Sequence, residues 1–433
     1  MIEVRATAQA AQAAFCDAVI QVAPLGVRDP LANPIFEQAL AKNYLIFDAY
    51  VSGERRVDLH PIVLTAQQHA EAVRCALTTA KLVSAIASRS HDDPQEAARY
   101  GFSPEVRRLA AASHSARDRH FLYRVDLLYG MDGFRACEIN ADCPGGHNEA
   151  LGLPLLAQAA GFWSGHNPTS VVAALCDALC ALRHGEGTIA LIYATAYAED
   201  LQVCALVQRE LHRRNIPAVL ASPTALRRMG KGLRIGKDRI SVLYRYFPTE
   251  YMDGQRNLSA IADAVEHGEV RTLSNFAEIY TQSKLAFARV HALSDSLHDS
   301  DRAGLRYIPL THAVTDLDVL DLLSQRSQWV LKRALGRVGE EVFVGSLLGD
   351  EDWKKVIEKA RSEHEQGEAW VLQKFVPQRP IESPYGPLLL TLGAYVLDGN
   401  FCGYFARVTP ESHASHSALC LPVFVLPDTG KEP

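Results

Sequence analysis

Residues 122–150 read LYRVDLLYGMDGFRACEINADCPGGHNEA. Apolar and polar residues alternate on both sides of Met131-Asp132-Gly133, the pattern of two antiparallel strands joined by a tight turn. A three-residue loop over Met131–Gly133, with Gly133 left-handed, pairs Gly130 with Phe134. It sets Asp126 opposite Glu138, and Arg124 opposite Asn140, on one face. A two-residue loop on Asp132-Gly133 instead splits the carboxylates between faces. Facing carboxylates repel unless a cation lies between them. Asp126, Glu138 and Asn140, with Arg124 beside them, make a hard-oxygen set suited to Mg²⁺ carrying a phosphate. A solvated strand face with an Arg–carboxylate bridge accounts for the same spacing.

Working outward, residues 1–115 are Ala-rich, with apolar spacings of three and four as in AQQHAEAVRCALTTAKLVSAIA, and are expected to be helical. After the hairpin, TSVVAALCDALCALRH reads as a helix leading to a boundary at Gly185 and Gly187. TIALIYA (188–194), the amphipathic EDLQVCALVQRELHRRN, IPAVLASP and RISVLYRYF (239–247) then alternate strand, helix, strand, strand. That spacing predicts a parallel, Rossmann-like unit over 186–272. No GxGxxG follows its first strand, so no dinucleotide is expected there.

From 273 onward a helix over 277–293 carries Lys284, and strands are expected at WVLKR and EVFVG. A charged helix follows over 350–366, then strands at WVLQKFV, PLLLTLGAYVL, NFCGYFARV and ALCLPVFVL. In WVLKRALGRVGEEVFVG (329–345) a strand ends in Lys332, and Gly336 and Gly339 open a loop whose backbone N–H groups can cradle phosphate beside Arg337. A basic hairpin with glycine turns is the plainer account. In EAWVLQKFV, backbone groups near the strand end can read a purine edge, although an ordinary core strand has the same pattern. The expected division is 1–115 (helical), 116–185 (the metal-site segment), 186–272 and 273–433 (nucleotide lobes).

Composition narrows the class. In 433 residues, 44 Lys and Arg stand against 50 Asp and Glu, a net charge of −6 without the basic excess of a nucleic-acid binder. Hydrophobic residues at 48% and charged ones at 22% fit a globular chain with ample core. The nine cysteines form no CxxC pair and read as reduced thiols of a cytoplasmic protein. MIEVRATAQAAQAAF lacks the pattern of a secretory signal, and the longest apolar run, at 387–397, is too short to span a bilayer. Cys137, Cys143 and His147 have irregular spacing for a zinc set. Glu250 is a candidate amine contact or a surface ion pair; His413 and His416 read as loop histidines.

RVD, CEINAD and LKRALGRVGEEV occur in the order R-x-D, E-x-N, a separate α/β unit, a Lys-bearing helix, K-x4-R-x-G, a strand and a late Arg. Over about 119–425 this resembles the circularly permuted ATP-grasp ligases of the glutathionylspermidine synthase family, in which the E-x-N motif precedes the lysines. The resemblance implies an α+β ATP-grasp fold with a Rossmann-like pre-ATP-grasp unit and a helical N-terminal region. It implies Asp126, Glu138 and Asn140 as magnesium ligands, Arg124 on phosphate, Lys332 and Lys284 on the nucleotide with Gly336 and Gly339, and Gln373, Lys374, Phe375 and Val376 as the adenine hinge. Arg337 is implied over an acyl phosphate and Arg407 near the transferred phosphate. Beside the metal site, Cys143, Gly145, Gly146, His147, Asn148 and Glu149 are the expected substrate stretch. That stretch differs from the family's thiol-peptide contact, so glutathione is not carried over as substrate. An N-terminal amidase is not implied either. The expected activity is an ATP- and Mg²⁺-dependent ligation of a small carboxylate to an amine. A small-molecule kinase and a nucleotide-sensing scaffold on the same fold are the alternatives.

Overall fold

The computed structural model of the chain describes residues 20–26, 29–51, 53–116, 120–162, 164–185, 187–336, 341–410 and 418–427. Helices α1 (Pro34–Tyr44) and α2 (Ala66–Ala87) come first. At the head of α2 the Thr65 hydroxyl accepts from Gln68 N while the Gln68 side chain accepts from Thr65 N, a reciprocal cap. The helical expectation for 1–115 fails within residues 20–64, which hold short strands at Gln21–Val22, Tyr50–Val51, Glu54–Arg55 and Ile62–Leu64. Ile62–Leu64 is buried throughout, and a strand buried on both faces has no alternation for a sequence pattern to reveal.

Strands β1 (Leu122–Gly130) and β2 (Gly133–Asn140) form the expected hairpin, but the turn differs. Gly130 pairs with Gly133 around a two-residue turn at Met131-Asp132. Continued unbroken, that register would set Asp126 opposite Cys137. A bulge places Leu127 against Ala136 and Asp126 against Glu138, so the extra residue, Cys137, restores Arg124 opposite Asn140. The carboxylates face each other as expected, through a bulge and not through the loop length.

Next come α3 (His147–Ala159), α4 (Val171–Arg183), β3 (Thr188–Tyr193), α5 (Ala198–Arg213), β4 (Ala218–Ala221), β5 (Asp238–Tyr246) and β6 (Arg271–Leu273). Strands β4, β3, β5 and β6 lie side by side and parallel, and α4 and α5 pack on them. The near-continuous apolar run of β3 suits a strand covered on both faces.

The helix expected over 277–293 is broken. Ile279–Gln282 stops at Ser283, whose backbone is extended, and α6 (Leu285–Ala292) restarts with Lys284 at its head. Ser283 Oγ accepts from Leu285 N at 3.3 Å, and Lys284 N donates to Ala334 O at 2.9 Å. This is local capping chemistry competing with helix continuation.

The rest of the chain builds two antiparallel sheets from β7 (Thr311–Ala313), β8 (Trp329–Arg333), β9 (Val342–Val344), α7 (Asp350–Glu365), β10 (Trp370–Lys374), β11 (Leu389–Leu397), β12 (Asn400–Thr409) and β13 (Leu419–Leu421). One sheet runs β7–β10–β8–β9, backed by α7 through Trp353, Ile357 and Trp370. The other runs β13–β12–β11–β1–β2, so the early hairpin completes a sheet made by the end of the chain. Helix α2 covers that sheet. The single strand expected at ALCLPVFVL divides at Pro422, which has no N–H to donate; Val423–Val425 pairs with Ile62–Leu64 instead. Among the described residues, no helix is long and apolar enough to cross a membrane.

Candidate functional site

One cleft of about 660 Å³ opens where the two antiparallel sheets meet the carboxyl ends of the parallel strands. Its lining includes fourteen of the residues singled out from the sequence: Arg124, Glu138, Asn140, Cys143, Gly145, Gly146, Lys284, Lys332, Gly336, Gln373, Lys374, Phe375, Val376 and Arg407. They are drawn from segments more than 280 positions apart in the chain. Arg337, Gly339, His413 and His416 lie outside the described residues.

The hairpin supplies the acidic centre. Asp126 is 1% exposed and both its oxygens are engaged. Arg124 donates from Nε to Oδ1 at 2.7 Å and from Nη2 to Oδ2 at 2.9 Å, and Arg407 Nη2 donates to Oδ2 at 2.8 Å. Opposite, Glu138 Oε2 lies 3.2 Å from Lys284 Nζ. Burial alone would raise the Glu138 pKa, but Lys284, Lys332, Arg407 and Arg124 together hold it well below the usual carboxylate range. Asn140, next on the same face, has an amide nitrogen with no hydrogen-bond partner.

The basic wall comes from three elements. Lys332, at the end of β8, donates to Gln373 Oε1 at 2.7 Å and to Cys137 O at 3.3 Å. The bulge that corrects the hairpin register thus presents a carbonyl to Lys332. Burial pushes the Lys332 pKa down, with Lys284 adding to the effect and Cys137 and Glu138 opposing it. Lys284 Nζ also donates to Gly336 O at 2.9 Å, tying the head of α6 to the glycine loop. Gln373 is committed at both ends of its amide, since Nε2 donates to Thr311 Oγ1 at 3.2 Å. Lys374 Nζ sits 4.7 Å from the centroid of the Trp329 ring.

Two features of β11 and β12 organise the arginines and carry no signal in a one-dimensional reading. Phe405 lies beside both, its ring centroid 5.2 Å from Arg124 Cζ and 5.7 Å from Arg407 Cζ. Gly393 faces Asp126 across the β1–β11 pair, and a Cβ there would come within 2.8 Å of Arg124 Cδ. Its lack of a side chain lets Arg124 cross the sheet face.

The expected substrate stretch divides into two parts. Cys143, Gly145 and Gly146 line the cleft, with Gly145 O accepting from Arg124 Nη1 at 3.0 Å and from the Tyr395 hydroxyl. Gly146 has φ of 89°, and a Cβ would meet the Phe405 ring at 2.6 Å. His147, Asn148 and Glu149 open α3 behind this wall, which corrects their expected place at the pocket. His147 is fully buried among Tyr244, Tyr246 and Tyr395, and burial together with Arg124 brings its pKa down to about 3. Asn148 Nδ2 is spent on the carbonyls of Tyr44, Leu45 and Gln202. Glu149 pairs with Arg56 at 3.5 Å. Glu250 does not line the cleft, although its neighbours Pro248 and Tyr251 do.

Arg56, Tyr197, Glu199, Asp200 and Tyr246 form the far wall and were not apparent in the sequence. Arg56 is held by Asp48, by Glu149 and, at 3.2 Å, by Glu199. Between the two walls, Asp142 is fully buried and accepts from Arg245 Nη2 at 2.6 Å and from Thr249 N and Oγ1, each at 2.7 Å. On its other side, Gln282 Oε1 accepts from Ala141 N and Asp142 N. The peptide leaving β2 is thereby fixed to the parallel sheet and to the segment before Lys284.

Among the described residues no three of His, Cys, Asp and Glu are grouped to hold a metal ion, so a cation here depends on an amide oxygen as well. Two carboxylates and the amide oxygen of Asn140, whose nitrogen has no hydrogen-bond partner, make a donor set of the kind a hard divalent ion takes.

A fold of this kind, in a chain that matches a synthetase family, is that of an enzyme of the ligase kind. The chain belongs to the glutathionylspermidine synthase preATP-grasp family, whose model matches residues 34–425. A glutathione synthetase-like effector from Globodera pallida is similar in structure, with a TM-score of 0.60 at 14% identity over 92% of this chain and 98% of that one. A putative gamma-glutamylcysteine synthetase from Methylobacillus flagellatus superposes with a TM-score of 0.41 at 13% identity, over 82% of this chain and 86% of that one. No curated protein matches the chain in sequence.

Proposed function

We propose that the chain is a carboxylate–amine ligase that uses Mg²⁺-ATP to form an amide through an acyl phosphate, releasing ADP and phosphate. The observation that carries this reading is the distribution of charge along this cleft. On one side Arg124, Arg407, Lys284 and Lys332 gather around Asp126, Glu138 and Asn140, and on the other Glu199, Asp200, Tyr197 and Tyr246 stand with Arg56.

At the first end, Lys284 and Lys332 bind nucleotide phosphates, and Gln373 to Val376 border the base. Asp126, Glu138 and Asn140 would hold the magnesium ion, which would supply charge neutralisation for phosphoryl transfer. Arg124 and Arg407 orient that group, and Arg337 acts from the glycine loop. The substrate carboxylate lies against Cys143, Gly145 and Gly146, within reach of Arg124. At the far end, Asp200 and Glu199, the latter bridged to Arg56, face the protonated amine, which gives its proton to a carboxylate there or to water before it attacks. Positioning and fixed charge do the work, without a protein nucleophile.

In this reading the fold is a circularly permuted ATP-grasp: β1 and β2 precede the lysine-bearing strands in sequence but share a sheet with β11 and β12. The parallel sheet is its Rossmann-like pre-ATP-grasp unit. The eight described cysteines are all free thiols, which supports a cytoplasmic setting.

An acyl phosphate is trapped by a strong small nucleophile. Incubation with Mg²⁺-ATP, hydroxylamine and a panel of amino acids and short peptides as acids is expected to give a hydroxamate from the correct acid, with ADP. A stable phosphorylated organic product would instead show a kinase.

A further inference from the structure

The carboxylate most deeply set in the metal site is also the most fully occupied. Asp126 accepts three N–H bonds from two guanidinium groups, and both arginines line the cleft where phosphate is proposed to bind. Glu138 is similarly paired with Lys284. Arg124, Arg407, Lys284 and Lys332 against Asp126 and Glu138 leave the cluster at a formal charge of +2. A divalent cation entering alone raises that charge and must also break arginine bonds to Asp126. A metal–triphosphate unit, itself an anion of similar size, neutralises it.

We propose that Arg124 and Arg407 serve as exchangeable counter-ions of Asp126. They pass from carboxylate to phosphate as the metal passes to the carboxylate, so the site rejects a free divalent cation and accepts it with an anion. This rests on the ligase reading above, and adds a partner exchange in which the arginines that favour phosphate also oppose bare metal. Two fixed features support the exchange. The Phe405 ring lies beside both guanidiniums and offers them a π face as they change partners, and the stem of Arg124 runs over Gly393, where no Cβ blocks its path along the sheet. Arg407 is the freer of the two: its Nε has no hydrogen-bond partner, and it makes one bond to Asp126 where Arg124 makes two.

The test is Mn²⁺ binding to the full chain without nucleotide, read from the loss of the free-ion electron paramagnetic resonance signal. Arg407→Gln is expected to tighten Mn²⁺ binding about tenfold, the opposite of what loss of a binding residue ordinarily does. In the Asp126→Asn background the same change should give no gain. Equal gains in both backgrounds would indicate only a weakened positive field and would overturn the exchange, as would an unchanged affinity in Arg407→Gln. Sulfate, a weak ligand for manganese, probes the unaltered chain: as a phosphate substitute for the arginines it should tighten Mn²⁺ binding several-fold, and no response overturns the proposal. Failure of every form to bind Mn²⁺, even with a non-hydrolysable ATP analogue, would overturn the ligase reading itself.

Discussion

Glu138→Gln is expected to lower turnover by about three orders of magnitude or more while leaving the chain folded. The substitution is nearly isosteric, and Glu138 lies at the cleft wall rather than in a hydrophobic cluster, so no cavity is created. It removes one of two anionic ligands, and it releases Lys284 from its 3.2 Å contact. With four cations then facing only Asp126, the site becomes a better trap for bare phosphate and a poorer one for metal. ATP binding measured without metal should therefore weaken little or strengthen, whereas binding with Mg²⁺ should weaken. The pH dependence has a definite sign. Because the Glu138 pKa is depressed, its ionised form, and the ligation it provides, persist well into the acid range and fail only as pH falls through that lowered value. An acid limb of the rate profile near the pKa of an ordinary glutamate would assign it to another group. Near-normal ADP formation by the variant at limiting Mg²⁺ would show that Glu138 is not a ligand.

Lys332→Ala is expected to weaken nucleotide binding by about two orders of magnitude and to lower turnover as well. Two acceptors, Gln373 Oε1 and Cys137 O, then lose their donor inside the cleft, so the cost exceeds that of one surface charge. Lys332 differs from an exposed lysine because burial lowers its pKa. Its charge is complete below the depressed value and is lost as pH rises through it. The affinity of the unaltered chain for ATP should consequently fall at a lower pH than an ordinary lysine would give. Lys332→Arg should move that alkaline limb upward, since guanidinium does not titrate there. An ATP affinity in Lys332→Ala close to that of the unaltered chain, with no change in the alkaline limb, would remove Lys332 from the nucleotide site.

The hairpin shows how far a sequence reading reaches. Alternation through β1 and β2 predicts a hairpin, but only a three-residue loop puts Asp126 opposite Glu138 in a sequence reading; the chain reaches the same pairing by a two-residue turn and a bulge at Cys137. The turn was misjudged because Cys137 gives no sign that it is an extra residue; a bulge is visible only in the pairing. Lys332 and Gln373 could be placed from their strands, but their bond to each other depends on β8 and β10 being neighbours. The break at Ser283, which lifts Lys284 to the head of α6, competes with a helical pattern that continues on both sides. Arg56, Glu199 and Phe405 were missed because each owes its place to a contact across the fold: Arg56 to Glu149, Glu199 to Arg56, and Phe405 to the two arginines. Asn148 was misplaced for the converse reason. A polar residue beside two glycines resembles a ligand contact, and only the folded chain shows its amide nitrogen spent on the carbonyls of Tyr44 and Gln202.

The most direct test of an acyl-phosphate ligase follows oxygen. The chain is given Mg²⁺-ATP, amines, and a pool of small carboxylic acids labelled with ¹⁸O in the carboxylate, and the nucleotide and phosphate products are analysed by mass spectrometry. Transfer of phosphate to the acid followed by amine attack leaves one carboxylate oxygen on the released phosphate, so the expected products are ADP and phosphate carrying a single ¹⁸O. Unlabelled phosphate, or AMP with pyrophosphate, would contradict the account.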